Sequence, residues 1–306
     1  MSDIMARLLS QFGDMELVEK FSALPNADFN SLMLEIFRTR ANGATPAGML
    51  KAFQSNRFTV PSELDPVDYL VLETEFLSAA KKLDIKPVLL SPAAPFASSS
   101  AFGCVNQNNV VSAARGTEIL SDPTNMLSII IAGKLKNKTA DNTAPIHYCT
   151  AARVLRAQVF PNTGRHFAHF GIFCIVSSGK DTGSYGCEKA LLQKQLSFYK
   201  KILCGKYDAN LSIVLKKRRG YNDAGGFLDS MAELVKNEFP GTPLSFDHEK
   251  EDNNYYKGIS YNINMEKDGG RIEIGDGGFV DWIYKMTNNK KERFLISGIG
   301  LDRLLL

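Results

Sequence analysis

At 306 residues, with 44% hydrophobic and 23% charged residues, the chain has the composition of an ordinary globular protein, long enough for one large domain or two smaller ones. Its formal net charge of +3 is weak and points neither toward nor away from nucleic acid. Five scattered cysteines without a CxxC pair and four histidines without ligand spacing exclude a disulfide framework and give no expectation of a bound metal. The N-terminus has no signal pattern and no run approaches the roughly 18 apolar residues of a membrane span, so a soluble, cytoplasmic protein with no membrane partner is expected.

In chain order, residues 3–57 read as helices. Ile4, Leu8, Leu9 and Phe12 fall at helical spacing, and Leu32, Leu34, Ile36 and Phe37 do so more loosely. Asp28 or Asn30 is a candidate cap for the second helix, and Thr45-Pro46 reads as a cap followed by proline at the first helical position. The expected division is an N-terminal helical region over residues 1–64 and a core over 65–306.

Asp65-Pro66 opens a longer helix carrying Tyr69, Leu70, Leu72, Phe76, Leu77 and Ala80, followed by a strand-like run over residues 87–92. Short strand-like runs come next: Val110-Val111, residues 128–132 (strand or helix), 153–155 and 171–176. A helix over 184–203 carries the stripe Leu191, Leu192, Leu196, Tyr199. Lys216-Lys217-Arg218-Arg219 reads as a solvated loop or helix end. Strands over 255–265 and 271–274 are joined by Asp268-Gly269-Gly270, a hairpin-type turn. Near the C-terminus, Gly298-Ile299-Gly300 reads as a turn into a buried helix bearing Arg303, which there requires an anionic partner. Strands in series with intervening helices predict an α+β fold, an antiparallel sheet flanked by helices.

Three stretches carry the functional expectation. They are Arg156-Ala157-Gln158 followed by Gly164-Arg165-His166-Phe167-Ala168-His169, then Tyr255-Tyr256-Lys257-Gly258 with Gly277-Gly278-Phe279-Val280-Asp281, and the ending Gly298-Ile299-Gly300-Leu301-Asp302-Arg303. In this order they resemble the catalytic core of class II aminoacyl-tRNA synthetases, and within it the histidyl-tRNA synthetase group, over roughly residues 65–306. The helix and strand after Asp65 resemble the first motif of that family, which implies a homodimer.

The resemblance implies ATP and Mg²⁺. Arg156 then faces the α-phosphate and Arg303 the γ-phosphate as the catalytic pair, Arg165 is a further phosphate-side arginine, and Phe167 stacks on adenine. A small amino or carboxylic acid would be held by Asp122, His169, Phe173, Tyr256, Gly277 and Gly278. From the residues alone, Asp122 in Asp122-Pro123-Thr124 is equally a helix cap, and paired tyrosines are also good strand formers. Three positions depart from the family pattern. Glu251, or a neighbour in Glu249-Lys250-Glu251-Asp252, stands where the resemblance implies an arginine over the reacting carboxylate, Gln158 where an acid follows the second-motif arginine, and Phe173 where an acidic residue reads the imidazole. Phe173 makes an apolar side chain a better expectation than histidine.

The chain stops at the third motif, where family members continue into an anticodon-binding domain, so conventional tRNA charging is not expected. The expectation is a stand-alone adenylate-forming ligase. The alternative is a non-catalytic paralogue resembling the regulatory subunit of ATP phosphoribosyltransferase.

Overall fold

A computed structural model describes residues 3–138, 144–158, 168–247 and 255–305. The first four helices are α1 (Asp3–Phe12), α2 (Leu17–Ser22), α3 (Asn26–Asn42) and α4 (Pro46–Ser55). Thr45 caps α4, its hydroxyl accepting from the Gly48 N–H at 3.1 Å. Neither Asp28 nor Asn30 caps α3, which starts directly after Pro25. Asn30 instead accepts from the Gly116 N–H at 2.9 Å, fastening the helix to the rest of the chain. Leu9 is the one fully buried residue of these four helices.

Asp65 starts α5 (Pro66–Lys81) as the Asp-Pro pair predicts, its carboxylate accepting from Val67 and Asp68 N–H groups. Then come the strands β1 (Lys86–Pro87), β2 (Ala93–Pro95), β3 (Ser112–Ala113) and β4 (Thr117–Ile119), and the helix α6 (Pro123–Lys136). The run after Pro87 is not a strand beyond that residue, and 128–132 is helical. After α6 the chain alternates: β5 (Ile146–Leu155), β6 (His169–Lys180), α7 (Gly186–Lys206), β7 (Asn210–Lys217), α8 (Ala224–Glu238) and β8 (Leu244–Asp247). It closes with β9 (Lys257–Lys267), β10 (Gly270–Phe279), α9 (Trp282–Thr287) and β11 (Glu292–Gly300).

Eight strands form one sheet in the order β1-β5-β6-β11-β10-β9-β7-β8, antiparallel except for the outer pairs β1/β5 and β7/β8. The strands β2-β4-β3 make a small separate sheet. The β9–β10 hairpin turns on Asp268 and Gly269, whose φ values of 52° and 76° are those of a two-residue hairpin turn. Each face of the large sheet is covered. Phe173, Ile175, Leu295, Ile299 and Tyr261 pack against α5, α7 and α8, while Val176, Phe294, Ile296 and Tyr148 pack with α6 and α9. Among the described residues, no helix is long and apolar enough to cross a membrane.

The basic run is not a solvated loop. Lys216 and Lys217 end β7, Lys216 pairs with Asp247 at 2.7 Å, and Arg218 donates to the Ser260 hydroxyl at 2.9 Å. The ending also differs from expectation. Gly298 and Gly300 are strand residues of β11, and Arg303 lies exposed on a single 3₁₀ turn, Asp302–Leu304.

Candidate functional site

Strands β6, β11 and β10 lie side by side, and glycines make their shared face concave. Cys174 sits opposite Gly298, which sits opposite Asp276. A Cβ built on Gly298 would lie 3.2 Å from both the Cys174 sulfur and the Ile172 side chain, so any larger residue would fill the depression. Above this floor opens a cavity of about 460 Å³ lined by Asp122, Arg156, Gln158, Phe170, Tyr255, Tyr256, Asp276 and Arg303 among others.

One wall is the N-terminus of α6. Asp122 caps that helix: one carboxylate oxygen accepts from the Thr124 N–H at 2.9 Å and its hydroxyl at 2.7 Å. The other oxygen accepts from the Tyr255 hydroxyl at 3.1 Å. The capping and cavity-facing roles of Asp122 therefore coexist. The same wall is braced by Glu118, a carboxylate with no solvent exposure. Burial alone would raise its pKa, but donors from Gln107, Ser98, Ser99 and Ala97 outweigh that and hold it below the usual range. Glu118 thereby pins the chain over residues 97–107, and Ser99 in turn meets Ser121 at 2.8 Å.

Arg156 follows β5. Its Nε donates to the Ser121 carbonyl at 3.1 Å, and its guanidinium carbon stands 5.1 Å from the centre of the Phe170 ring. Arg303 reaches the same cavity from the 3₁₀ turn, donating to the Glu273 carbonyl at 3.0 Å. It makes no salt bridge among the described residues. The neighbouring Asp302 accepts from the Gly171 N–H at 2.7 Å and pairs with Arg153 at 3.6 Å, so the acid next to Arg303 is engaged elsewhere.

One end of the cavity is acidic and aromatic. Tyr256 donates to Asp276 at 2.7 Å, and the Tyr255 and Tyr256 rings meet edge to face with centres 4.8 Å apart. Both tyrosines precede β9 rather than lying in a strand. Burial, then the charges of Asp122 and Asp276, push both phenols well above their ordinary pKa, so they stay protonated donors. Asp276 is open to the cavity but otherwise surrounded by protein. That burial, with the charge of Asp122 adding to it, raises its carboxyl against the opposing hydrogen bond from Tyr256. Cys174 is pushed up by burial and remains a thiol, unsuited to act as a nucleophile.

Several expected site residues are elsewhere. Phe173 points through the sheet, stacked on Phe198 at 5.0 Å and edge-on to Phe76 at 5.3 Å; strand alternation gives the cavity Ile172 and Cys174 instead. The preference for an apolar ligand drawn from Phe173 falls with it. His169 shares that far side: its Nδ1 accepts from Arg153 at 2.8 Å and its Nε2–H donates to the Val60 carbonyl at 2.6 Å. Gly277 and Gly278 do not line the cavity. Their closeness serves tyrosines, since a Cβ on Gly277 would meet Tyr261 at 2.6 Å and one on Gly278 would meet Tyr256 at 2.4 Å. Arg165, Phe167 and Glu251 lie outside the described residues. Sequence reasoning overlooked Asp276, although a charged residue inside Gly275-Asp276-Gly277-Gly278 was a visible signal.

No protein-family model matches the chain, and no curated protein matches it in sequence. Solved structures do match in shape. An ATP phosphoribosyltransferase regulatory subunit/histidyl-tRNA synthetase from Bacillus halodurans aligns over 82% of this chain and 82% of its own, with a TM-score of 0.60 and 10% identity. Apo histidyl-tRNA synthetase from S. aureus aligns over 80% of this chain and 68% of its own, with a TM-score of 0.58 and 12% identity. A histidine–tRNA ligase subunit from Alicyclobacillus acidocaldarius aligns over 80% and 94%, with a TM-score of 0.54 and 12% identity. The fold is that of these class II synthetase-like structures. At such identities the likeness concerns fold alone, and class II architecture accommodates both ligases and regulators.

Proposed function

We propose that the chain binds ATP and a small amino or carboxylic acid in this cavity and joins them as an acyl adenylate. One observation carries the reading: Arg156 and Arg303, from distant parts of the chain, line the same cavity as the carboxyls of Asp122 and Asp276. A cavity cationic at two points and acidic at one end suits an ammonium-bearing acid beside a polyphosphate. In the reaction a carboxylate oxygen of the acid attacks the α-phosphorus, the bond to the β-phosphate oxygen breaks, and pyrophosphate leaves. The two reactants are both anions. Guanidinium groups placed where the charge gathers supply the main stabilisation, Arg156 at the α-phosphate and Arg303 at the leaving group. Tyr255, kept protonated, holds Asp122 in place for the α-ammonium.

Among the described residues no group of three or more metal-ligating side chains lies together. Magnesium would enter with the phosphates and offset part of their charge. Arg165 and Phe167 would add phosphate and adenine contacts by resemblance. The exposed Val67, Leu70 and Val71 on α5 support a homodimer.

A second reading, a ligand-binding regulator, is favoured by Gln158, a neutral cavity-lining amide where the resemblance implies an acid. ATP–pyrophosphate exchange over the proteinogenic amino acids, with Arg303→Ala as control, separates the two. Exchange with one acid that vanishes in the variant supports the ligase. No exchange, together with no rise in melting temperature on adding ATP and magnesium, supports the regulator.

A further inference from the structure

The acidic end of the cavity holds more negative charge than an ordinary amino acid can answer. Asp122 and Asp276 both face it, and Arg156 is the guanidinium beside them, its Nε already committed to the Ser121 carbonyl. A bound amino acid brings one carboxylate, which Arg156 answers, and one ammonium, which a single carboxyl answers. The other carboxyl is then left without a counter-charge.

The two carboxyls are not equivalent. Both oxygens of Asp122 are engaged, one with Thr124 and one with Tyr255. Asp276 takes only the Tyr256 hydroxyl on one oxygen; its second has no hydrogen-bond partner among the described residues, and the side chain opens into the cavity. Its aim is built into the strand. The pairing of β10 with β9 slips between Glu273 and Gly275, a bulge that inverts the alternation beyond it. Ile274 packs into the core below the sheet, and without the slip Asp276, two residues on, would point the same way. The bulge turns it to the cavity face, opposite Gly298. Beside Asp276 the cavity has an apolar floor of Ile172, Cys174 and Ile296, with Gly298 leaving room over the Cys174 sulfur and Ile172.

We infer that Asp276 determines specificity by pairing with an amine at the end of an aliphatic side chain, so that the acid taken is a diamino acid of the ornithine–lysine type. The inference rests on the cavity being the acid site proposed above. The apolar floor accommodates methylenes, and the open carboxyl oxygen receives the terminal N–H. An amine suits it better than an imidazole, because an alkyl ammonium carries its full charge at neutral pH and an imidazole mostly does not.

The test is calorimetric titration of the full chain with L-ornithine, L-lysine, L-2,4-diaminobutyrate, L-norvaline, L-norleucine and L-histidine, in the presence of ATP and magnesium. The expected result is that one of the diamino acids binds about 10–100-fold more tightly than its methyl-terminated counterpart, the range for a hydrogen bond to a charged group. In Asp276→Asn that preference collapses toward unity, while the rise in melting temperature given by ATP alone persists. Norleucine, norvaline or histidine binding as tightly as the diamino acids overturns the inference, and the wild-type protein alone can deliver that result. So does a preference that survives in Asp276→Asn. If ATP and neutral acids bind but diamino acids have no advantage, Asp276 is misassigned and the proposed function stands. If neither ATP nor any acid binds, both fall.

Discussion

Replacing Phe173 with alanine tests the assignment of faces on β6, on which the whole site depends. Phe173 is fully buried, stacked on Phe198 and edge-on to Phe76, in the cluster that joins α5 and α7 to the sheet. Truncating a buried phenylalanine costs about 3–5 kcal/mol. The upper part of that range applies here, because two aromatic contacts are lost along with the buried area. At about 1.5 °C per kcal/mol for a chain of 306 residues, the melting temperature should fall by about 6–8 °C. Thermal unfolding followed by circular dichroism measures this. The ligand response, taken well below the lowered transition, should match wild type, because the phenyl ring and the cavity lie on opposite faces of the sheet. A variant that melts near wild type but loses its response to ATP or acids would show that Phe173 faces the ligand, and the register of the floor would be wrong.

Other expectations follow from single contacts. Arg303→Ala should abolish stabilisation by ATP while leaving the unliganded melting temperature nearly unchanged, since the side chain is exposed and holds one carbonyl; equal ATP shifts in both proteins would remove Arg303 from the nucleotide site. Asp122→Asn keeps a capping acceptor for α6 but loses the charge, so acid binding should weaken far more than folding. Asp122→Ala should in addition lose about 0.5–2 kcal/mol of stability through the missing cap, seen by urea titration. Glu118 has its folded pKa below the unfolded one, so its contribution is complete above the unfolded value and disappears as pH falls through the folded one. Glu118→Gln should lose about 1.5–3 kcal/mol at neutral pH and show a flatter acid limb in urea titrations run from pH 6 to pH 3. Asp276 has the opposite sign: its folded pKa is raised, so its contribution is present at low pH and lost as pH rises. Asp276→Asn should therefore look more favourable, relative to wild type, at pH 7 than at pH 4.

The elements that were legible carry their own local signal. Asp65-Pro66 starts α5, Asp268-Gly269 turns the β9–β10 hairpin, and the stripe Leu191, Leu192, Leu196, Tyr199 marks α7. Residues 128–132 were ambiguous because an isoleucine run suits either state; the cap at Asp122 with Pro123 behind it decides for helix. β11 is obscured by Gly298 and Gly300, which read as a turn, whereas Gly298 is there to keep the floor low. β7 was overlooked because its alternating Leu211, Ile213, Leu215 runs straight into basic residues. At the site, motif spacing located Arg156, Asp122 and Arg303 along the chain, and all three line the cavity. Spacing does not give the face of a strand, so it does not separate Phe173 and His169 from the neighbours that face the cavity. The bulge that redirects Asp276 depends on pairing with β9, a partnership invisible in β10 alone.

The strand order gives the cavity a mechanical property. β6 lies against β11 although β7 through β10 come between them in sequence, and the arginines at 156 and 303 sit at either end of that excursion. A molecule held by both guanidinium groups closes the long loop much as a reversible cross-link would, and opening the loop then requires releasing the molecule first. Its presence should register as slower unfolding of the entire sheet, with amide protons of β7 and β9 protected although neither strand contributes to the floor.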